Sequence, residues 1–273
     1  MRSKTIIVTG DPIIDIYIQN KSGVTTSYEE ICGGALNVYE NVKSILKNCL
    51  NGFSKSSLFL PEMKFKTQPY YKILRLNEEK DIHFCKPINK SKFYSSSFLD
   101  IKTLDYALSC CTNDSVFVFS DYNKGVLNGS NDNIRYISGK VRCGIVDSKY
   151  RSLNLSYLEL VEISIWRCTG KEYCSEYAKN FDYTIWTDAE KPIKLLDKYQ
   201  NLIKEINFTP IPCVDSCGAG DTFTAAIACW VYESERKIDS NLLIDAINFA
   251  ILCSQEVVSM PKTAITTKAL LPK

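Results

Sequence analysis

The chain has 273 residues, of which 45% are hydrophobic and 11% aromatic, enough to fill a sizeable core. Its 33 Lys and Arg against 31 Asp and Glu leave a formal charge of +2, which excludes an electrostatic footprint for nucleic acid or an anionic membrane surface. No basic-then-apolar signal segment opens the chain, and no run approaches the roughly 18 unbroken apolar residues of a membrane helix.

Thr5 to Val8 is a short β-branched run that stops at Gly10-Asp11-Pro12, as a buried parallel strand does at a sheet's carboxyl edge. Ile13 to Ile18 continues the extended pattern, and "NKSGVTTS" reads as a polar turn. In "EEICGGALNVYENVKSILKNC", Leu36, Val38, Val42, Ile45 and Leu46 recur at helical spacing, so Gly33-Gly34 stands at a helix entrance. Between Asn51 and Lys92 the charged alternating pieces "MKFKT" and "YYKILRLNEE" suit exposed strands. The single histidine, His83 in "DIHFC", reads as a surface or packing residue.

Leu99 to Cys111 has a helical pattern. "SVFVFSDY", "CGIVDS" and "DYTIWTD" read as buried strands ending at Ser120-Asp121, Asp147 and Thr187-Asp188. Extended "INFTPIPCV" then leads into "VDSCGAGDTFT" (214–224) and the apolar helix "AAIACWV". The 12 cysteines lack zinc-finger spacing and the chain is too long to need disulfides, so they read as reduced thiols of a cytoplasmic protein. Strands that alternate with helices and end in Asp, Ser or Thr predict an α/β fold with a mainly parallel, doubly wound sheet. Its ligands would bind outside the strands' carboxyl ends.

The loop at 214–224 joins extended chain to a helix amino terminus, where unpaired N–H groups and the positive end of the dipole face outward. Gly218 and Gly220 let a ligand approach the backbone closely, which suits an anion. Asp221 in the first turn has two roles open to it: a helix cap, or a general base beside an anion hole. No Lys follows the second glycine, so this is not a Walker loop.

Gly218-Ala219-Gly220-Asp221 preceded by Asp215, together with Gly33-Gly34-Ala35-Leu36-Asn37 and Gly10-Asp11, resembles the ribokinase-like (PfkB) family of carbohydrate kinases. Within it, "VFSDYNKGVL" (118–127), "VDSK" (146–149) and "LNLSYLE" (153–159) look like stretches of bacterial D-glycero-β-D-manno-heptose 7-phosphate kinases. The resemblance implies a three-layer α/β/α sandwich forming a single domain over residues 1–273. A small, reduced β lid would have its strands within 12–32 and 62–86.

The activity it implies is phosphoryl transfer from ATP, with Mg²⁺, to a hydroxyl of a sugar or sugar phosphate. In that reading Asp221 is the base, and the N–H groups of Cys217, Gly218, Ala219 and Gly220 form the anion hole. Asp11, Asp15, Gly33, Gly34 and Asn37 would hold sugar hydroxyls, and Lys64, Lys66 and Lys124 a sugar phosphate. Asn154, Thr187, Asp188, Asp215, Cys217 and Asn248 fall in the nucleotide region. A small-molecule acceptor is the expected partner, with neither nucleic acid nor membrane, and a homodimer through the lid is a further expectation.

The chain departs from the family in four places. Where relatives carry Asn-x-x-Glu, Asn154 is followed by Tyr157, which leaves Glu159 as the metal candidate. The turn "TDAEKP" lacks the family's glycines, the segments around the lid are short, and the nucleotidyltransferase domain fused to some heptose kinases is not expected. A relative that binds nucleotide or sugar phosphate without transfer, or a kinase for another sugar or nucleoside, is the alternative.

Overall fold

The structure is a computed structural model that describes residues 4–21, 24–48, 70–77, 86–87, 111–122, 141–148 and 155–267. In chain order come β1 (Ile6–Gly10), β2 (Pro12–Lys21), β3 (Val24–Gly34), helix α1 (Ala35–Asn48), β4 (Tyr70–Asn77), β5 (Lys86–Pro87) and β6 (Val116–Asp121). They are followed by β7 (Val141–Ser148), β8 (Val161–Thr169), α2 (Ser175–Ala178), β9 (Tyr183–Asp188), β10 (Lys191–Asp197), β11 (Leu202–Ile206), α3 (Ala219–Glu233) and α4 (Ser240–Val258).

The main sheet has the order β1-β6-β7-β8-β9-β10-β11, and its first five strands are parallel. Both faces are covered. Ile6, Val8, Val116, Val118 and Ile145 pack against α1, α3 and α4, whereas Ile7, Phe117, Phe119, Val146 and Trp166 face the opposite layer. Burial on both faces is the reason β1 and β6 read as unbroken apolar runs rather than alternating ones. The result is the expected α/β sandwich with a mostly parallel sheet.

The last two strands run antiparallel. β9 returns as β10 through a turn at Ala189 and Glu190, with Ala189 at φ 50, and so short a connection permits only an antiparallel partner. A second sheet of order β3-β2-β4-β5 rises from the end of β1. Its strands overlap the two stretches, 12–32 and 62–86, where lid strands were expected, but β3 runs on to Gly34, β5 ends at Pro87, and β3 begins at Val24, inside the stretch read as a turn.

Three further readings change. β8 was not foreseen, because Glu162, Ser164 and Arg167 interrupt its apolar pattern, yet it lies between β7 and β9. "INFTPIPCV" is not a strand after Ile206: Pro210 and Pro212 have no N–H for a ladder, and Val214 and Asp215 donate instead to the Val258 carbonyl. The helix expected at 99–111 lies outside the described residues except for Cys111.

On α1 the buried stripe contains Ala35, Val38, Val42 and Ile45, but also Asn37 and Asn41. Two buried amides one helical turn apart are costly unless hydrogen-bonded, and here they are committed to the site described below. α4 is long and apolar enough by composition to cross a bilayer, but Leu242, Leu243, Ile247 and Phe249 are buried in the protein core beside α3. Asp239 accepts from the Leu242 N–H at 2.8 Å and starts that helix.

Candidate active site

The polar residues foreseen at strand ends gather on the carboxyl side of the main sheet, and α3 points its amino terminus among them. Gly218 is the residue before the helix, at φ 82 and ψ −10. A Cβ there would lie 2.7 Å from Asn37 Nδ2 and 3.0 Å from Thr263 Cγ2, so the position requires glycine on both conformation and space. The Cys217 N–H is already held by Asp215 Oδ1 at 2.8 Å, and the Ala219 N–H reaches Ser216 O at 3.3 Å. Among the described residues, the N–H groups of Gly218 and Gly220 have no protein acceptor. Of the four N–H groups expected to form an anion hole, those of Cys217 and Ala219 are thus already engaged within the loop, and those of Gly218 and Gly220 face outward. Asp215 also accepts from the Lys262 N–H at 3.0 Å and thereby braces the loop.

Asp221 is 3% exposed in the first turn of α3. Asn37 Nδ2 donates to its Oδ2 at 3.1 Å, and the Tyr122 hydroxyl donates to its Oδ1 at 2.7 Å. Burial, and then the negative charges of Asp221 and Asp147, push the Tyr122 phenol well above its ordinary range, so it remains a donor. Asp11, fully buried after β1, accepts from the Tyr122 N–H at 2.7 Å. Asp15 on β2 accepts from Thr263 Oγ1 at 2.7 Å, and its carboxylate lies where a side chain at Gly33 would stand, 2.7 Å from the missing Cβ. Gly34 ends β3 opposite Pro12 and hands the chain to α1, bringing Asn37 beside Asp221.

A buried ion pair lies beneath. Arg167 on β8 donates to Asp147 Oδ1 at 3.1 Å and to Thr187 Oγ1 at 3.2 Å, while Thr224 of α3 donates to Asp147 Oδ2 at 2.8 Å. Burial alone would depress Arg167, but the Asp147 carboxylate more than offsets it, with smaller help from Glu172 and Asp221, and the net direction is upward. This guanidinium places a permanent positive charge within reach of three carboxylates.

No protein-family model matches the sequence, and no curated protein is found similar to it. Solved structures do match. Ribokinase from Giardia lamblia aligns with a TM-score of 0.64 at 13% identity, covering 96% of each chain. Ribokinase from Arabidopsis thaliana, solved with ribose and ATP, aligns with a TM-score of 0.63 at 12% identity over 98% of this chain and 97% of that one. Phosphofructokinase-2 from Escherichia coli, solved with potassium, reaches 0.66 at 10% identity over 98% and 96%.

The chain has the ribokinase fold. At such low identity the likeness is one of fold, and within the ribokinase fold the remaining expected residues can be placed. Asn248 lines a cavity of about 530 Å³ with Asn207, Thr209, Trp230 and Gln255. Ser254, further along the same helix, donates to the Ala219 carbonyl at 3.1 Å and links that cavity to the start of α3. Thr187 joins the site through Arg167. Asp188 sits at the β9–β10 turn in a solvent-exposed pair with Lys191 at 2.6 Å. Lys64, Lys66, Lys124 and Asn154 lie outside the described residues.

Glu159, singled out from the sequence as a metal candidate, stands apart from these residues. It is exposed in a short 3-10 turn (Leu155–Leu160) that precedes β8, at the amino edge of the sheet, opposite the site. The strand that precedes the polar pair is β8, which ends at Thr169, and three residues later comes Glu172. Glu172 Oε2 accepts from both the N–H and Oγ1 of Thr169 at 2.9 Å. Thr169-x-x-Glu172 thus stands at the carboxyl end of β8, on the side of the sheet that holds Asp147 and Asp221. Sequence spacing missed it because β8 itself was missed. Tyr122, Asn41, Arg167 and Thr263 were also missed. For Tyr122 the signal was its place in the "DYNKG" string.

Proposed function

We propose that the chain is an ATP-dependent kinase acting on a hydroxyl of a sugar or sugar phosphate, with D-glycero-β-D-manno-heptose 7-phosphate, giving the 1,7-bisphosphate, as the specific acceptor. The observation that carries the reading is the buried Asp221 carboxylate one turn inside α3, beside the open N–H groups of Gly218 and Gly220. Phosphoryl transfer depends mainly on positioning and on charge stabilisation, and these groups supply both.

In this reading Asp221 takes the proton from the acceptor hydroxyl. The two glycine N–H groups, at the positive end of the α3 dipole, favour the charge that grows on the transferring group. Asp15 and Asn37 face the same space from the lid and from α1, where a carboxylate and an amide can hold vicinal hydroxyls. Recognition of the acceptor's own phosphate falls to Lys124 and to the pair Lys64 and Lys66. Asn248 and the cavity along α4 would receive the purine.

ATP supplies the phosphoryl group, and Mg²⁺ would neutralise its oxygens. Among the described residues no three His, Cys, Asp or Glu gather as a metal cage. Magnesium held on phosphates needs only one or two carboxylates, so Glu172 at the end of β8 fits as its protein anchor. The heptose phosphate assignment is supported by the "VFSDYNKGVL" resemblance, whose Tyr122 touches Asp221.

The test is ADP release with Mg-ATP across a panel of sugars and sugar phosphates, for the wild type and Asp221→Asn. Turnover with heptose 7-phosphate, and a loss on the order of 10²–10⁴ in kcat in the variant, is expected for a general base. ATP binding without ADP release on any acceptor would replace the kinase by a binding protein.

A further inference from the structure

We propose that Tyr122 is a positioning residue for the reaction, holding the Asp221 carboxylate ionised and aimed at the acceptor hydroxyl. The inference rests on the reading of Asp221 as base and adds the group that tunes it.

The geometry is a clamp with two jaws. On the α1 side, Asn37 Nδ2 holds Asp221 Oδ2 at 3.1 Å. Asn37 is itself oriented, because Asn41 Nδ2 donates to its Oδ1 at 3.0 Å, and Asn41 Oδ1 accepts from the Thr266 N–H at 3.1 Å. On the β6 side, the Tyr122 hydroxyl holds Oδ1 at 2.7 Å, and Asp11 fixes the Tyr122 backbone through its N–H at 2.7 Å. Two donors on two oxygens fix the rotation of the carboxyl plane.

The phenol is suited to this work. A donor to a carboxylate favours its charged form, and a short bond to an ionised acceptor is among the stronger ones. Asp15 on the lid and Asp147 on β7 also bear on Tyr122, and Arg167 on β8 feels Asp221, so two further carboxylates and one guanidinium stand around the Tyr122–Asp221 pair. Tyr122, Asn37 and Arg167 are the groups that favour a negative charge on Asp221.

Tyr122→Phe removes the donor and keeps the ring. The expected result is a fall of about tenfold in kcat at neutral pH, the worth of one hydrogen bond to a charged group, with KM for the acceptor little changed. The acid limb of kcat/KM should also move to higher pH, because losing a donor to the charged form makes the carboxyl easier to protonate. 3-Fluorotyrosine at position 122, a more acidic phenol of nearly the same shape, should move that limb the other way and covers the case of a phenylalanine variant that fails to fold. An unmoved acid limb in both variants, alongside an inactive Asp221→Asn, would overturn the role of Tyr122 and leave the base in place. An Asp221→Asn protein with wild-type turnover would instead overturn the base, and this inference with it.

Discussion

Asn37 and Asp221 are 184 positions apart and Tyr122 and Asp221 are 99 apart, yet the three side chains form one hydrogen-bonded unit. The same residue scale separates charges that matter from charges that do not. Asp147 is fully buried and pairs with a nearly buried Arg167, so Asp147→Asn leaves a guanidinium without its counterion and should cost about 3–5 kcal/mol. Asp188 forms its pair with Lys191 in solvent, with the two side chains 38% and 75% exposed, and Asp188→Asn should change stability by less than about 1 kcal/mol. Urea titrations of the two variants, fitted with a common slope, check the contrast. Local spacing could single out Asp147 and Asp188 as strand-end carboxylates. It could not say which of them meets an arginine from a neighbouring strand.

Among the elements, those that bury both faces were legible. β1, β6 and β7 announce themselves as short apolar runs stopped by polar residues, because a parallel strand buried on both faces has no solvent side to mark with alternation. β8 hides its central position behind Arg167 and Ser164, both of which find polar partners only after folding: Asp147 and Thr187 for the first, Asp182 for the second. With that strand missed, Glu172 at its end passed unnoticed and Glu159, before its start, was singled out instead. α4 provides a test at this scale. Asp239 caps it with a bond of 2.8 Å, and Asp239→Ala should lower stability by about 1 kcal/mol while leaving kcat unchanged, since the cap lies at the end of α4 away from the Ser254 contact with α3. Thermal melting and ADP release measured on the same preparation read both halves of that statement.

The whole molecule is closed by its C-terminal segment. Thr263 reaches Asp15 on the lid, the Thr266 N–H reaches Asn41 on α1, and the buried Glu256 carboxylate accepts from Thr266 and Thr267. The small sheet, α1 and α4 are thereby braced by residues far apart in sequence. Cysteines add a pH dependence at this scale. Burial pushes the Cys143 thiol up to about 12, and burial raises Cys168 as well. In the unfolded chain both ionise near 9, so their contribution is complete below that pH and is lost as pH rises toward 12. Each thiol should steepen the loss by up to about 1.4 kcal/mol per pH unit in that window. Urea midpoints measured from pH 8 to 11 should fall, and Cys143→Val should flatten the decline.

By itself the sequence determined the α/β class, the strands buried on both faces, and the glycine-bracketed loop at a helix amino terminus with Asp221 in its first turn. These follow from hydrophobic periodicity and from backbone chemistry, which act over a few residues and can be read locally. Only the tertiary structure decided that Asp215 consumes the Cys217 N–H, that Tyr122 and Asn37 hold the two oxygens of Asp221, and that Glu172 rather than Glu159 stands at the site. The physical reason is that a buried polar group must find a partner wherever packing and strand register bring one, and that partner can lie anywhere along the chain.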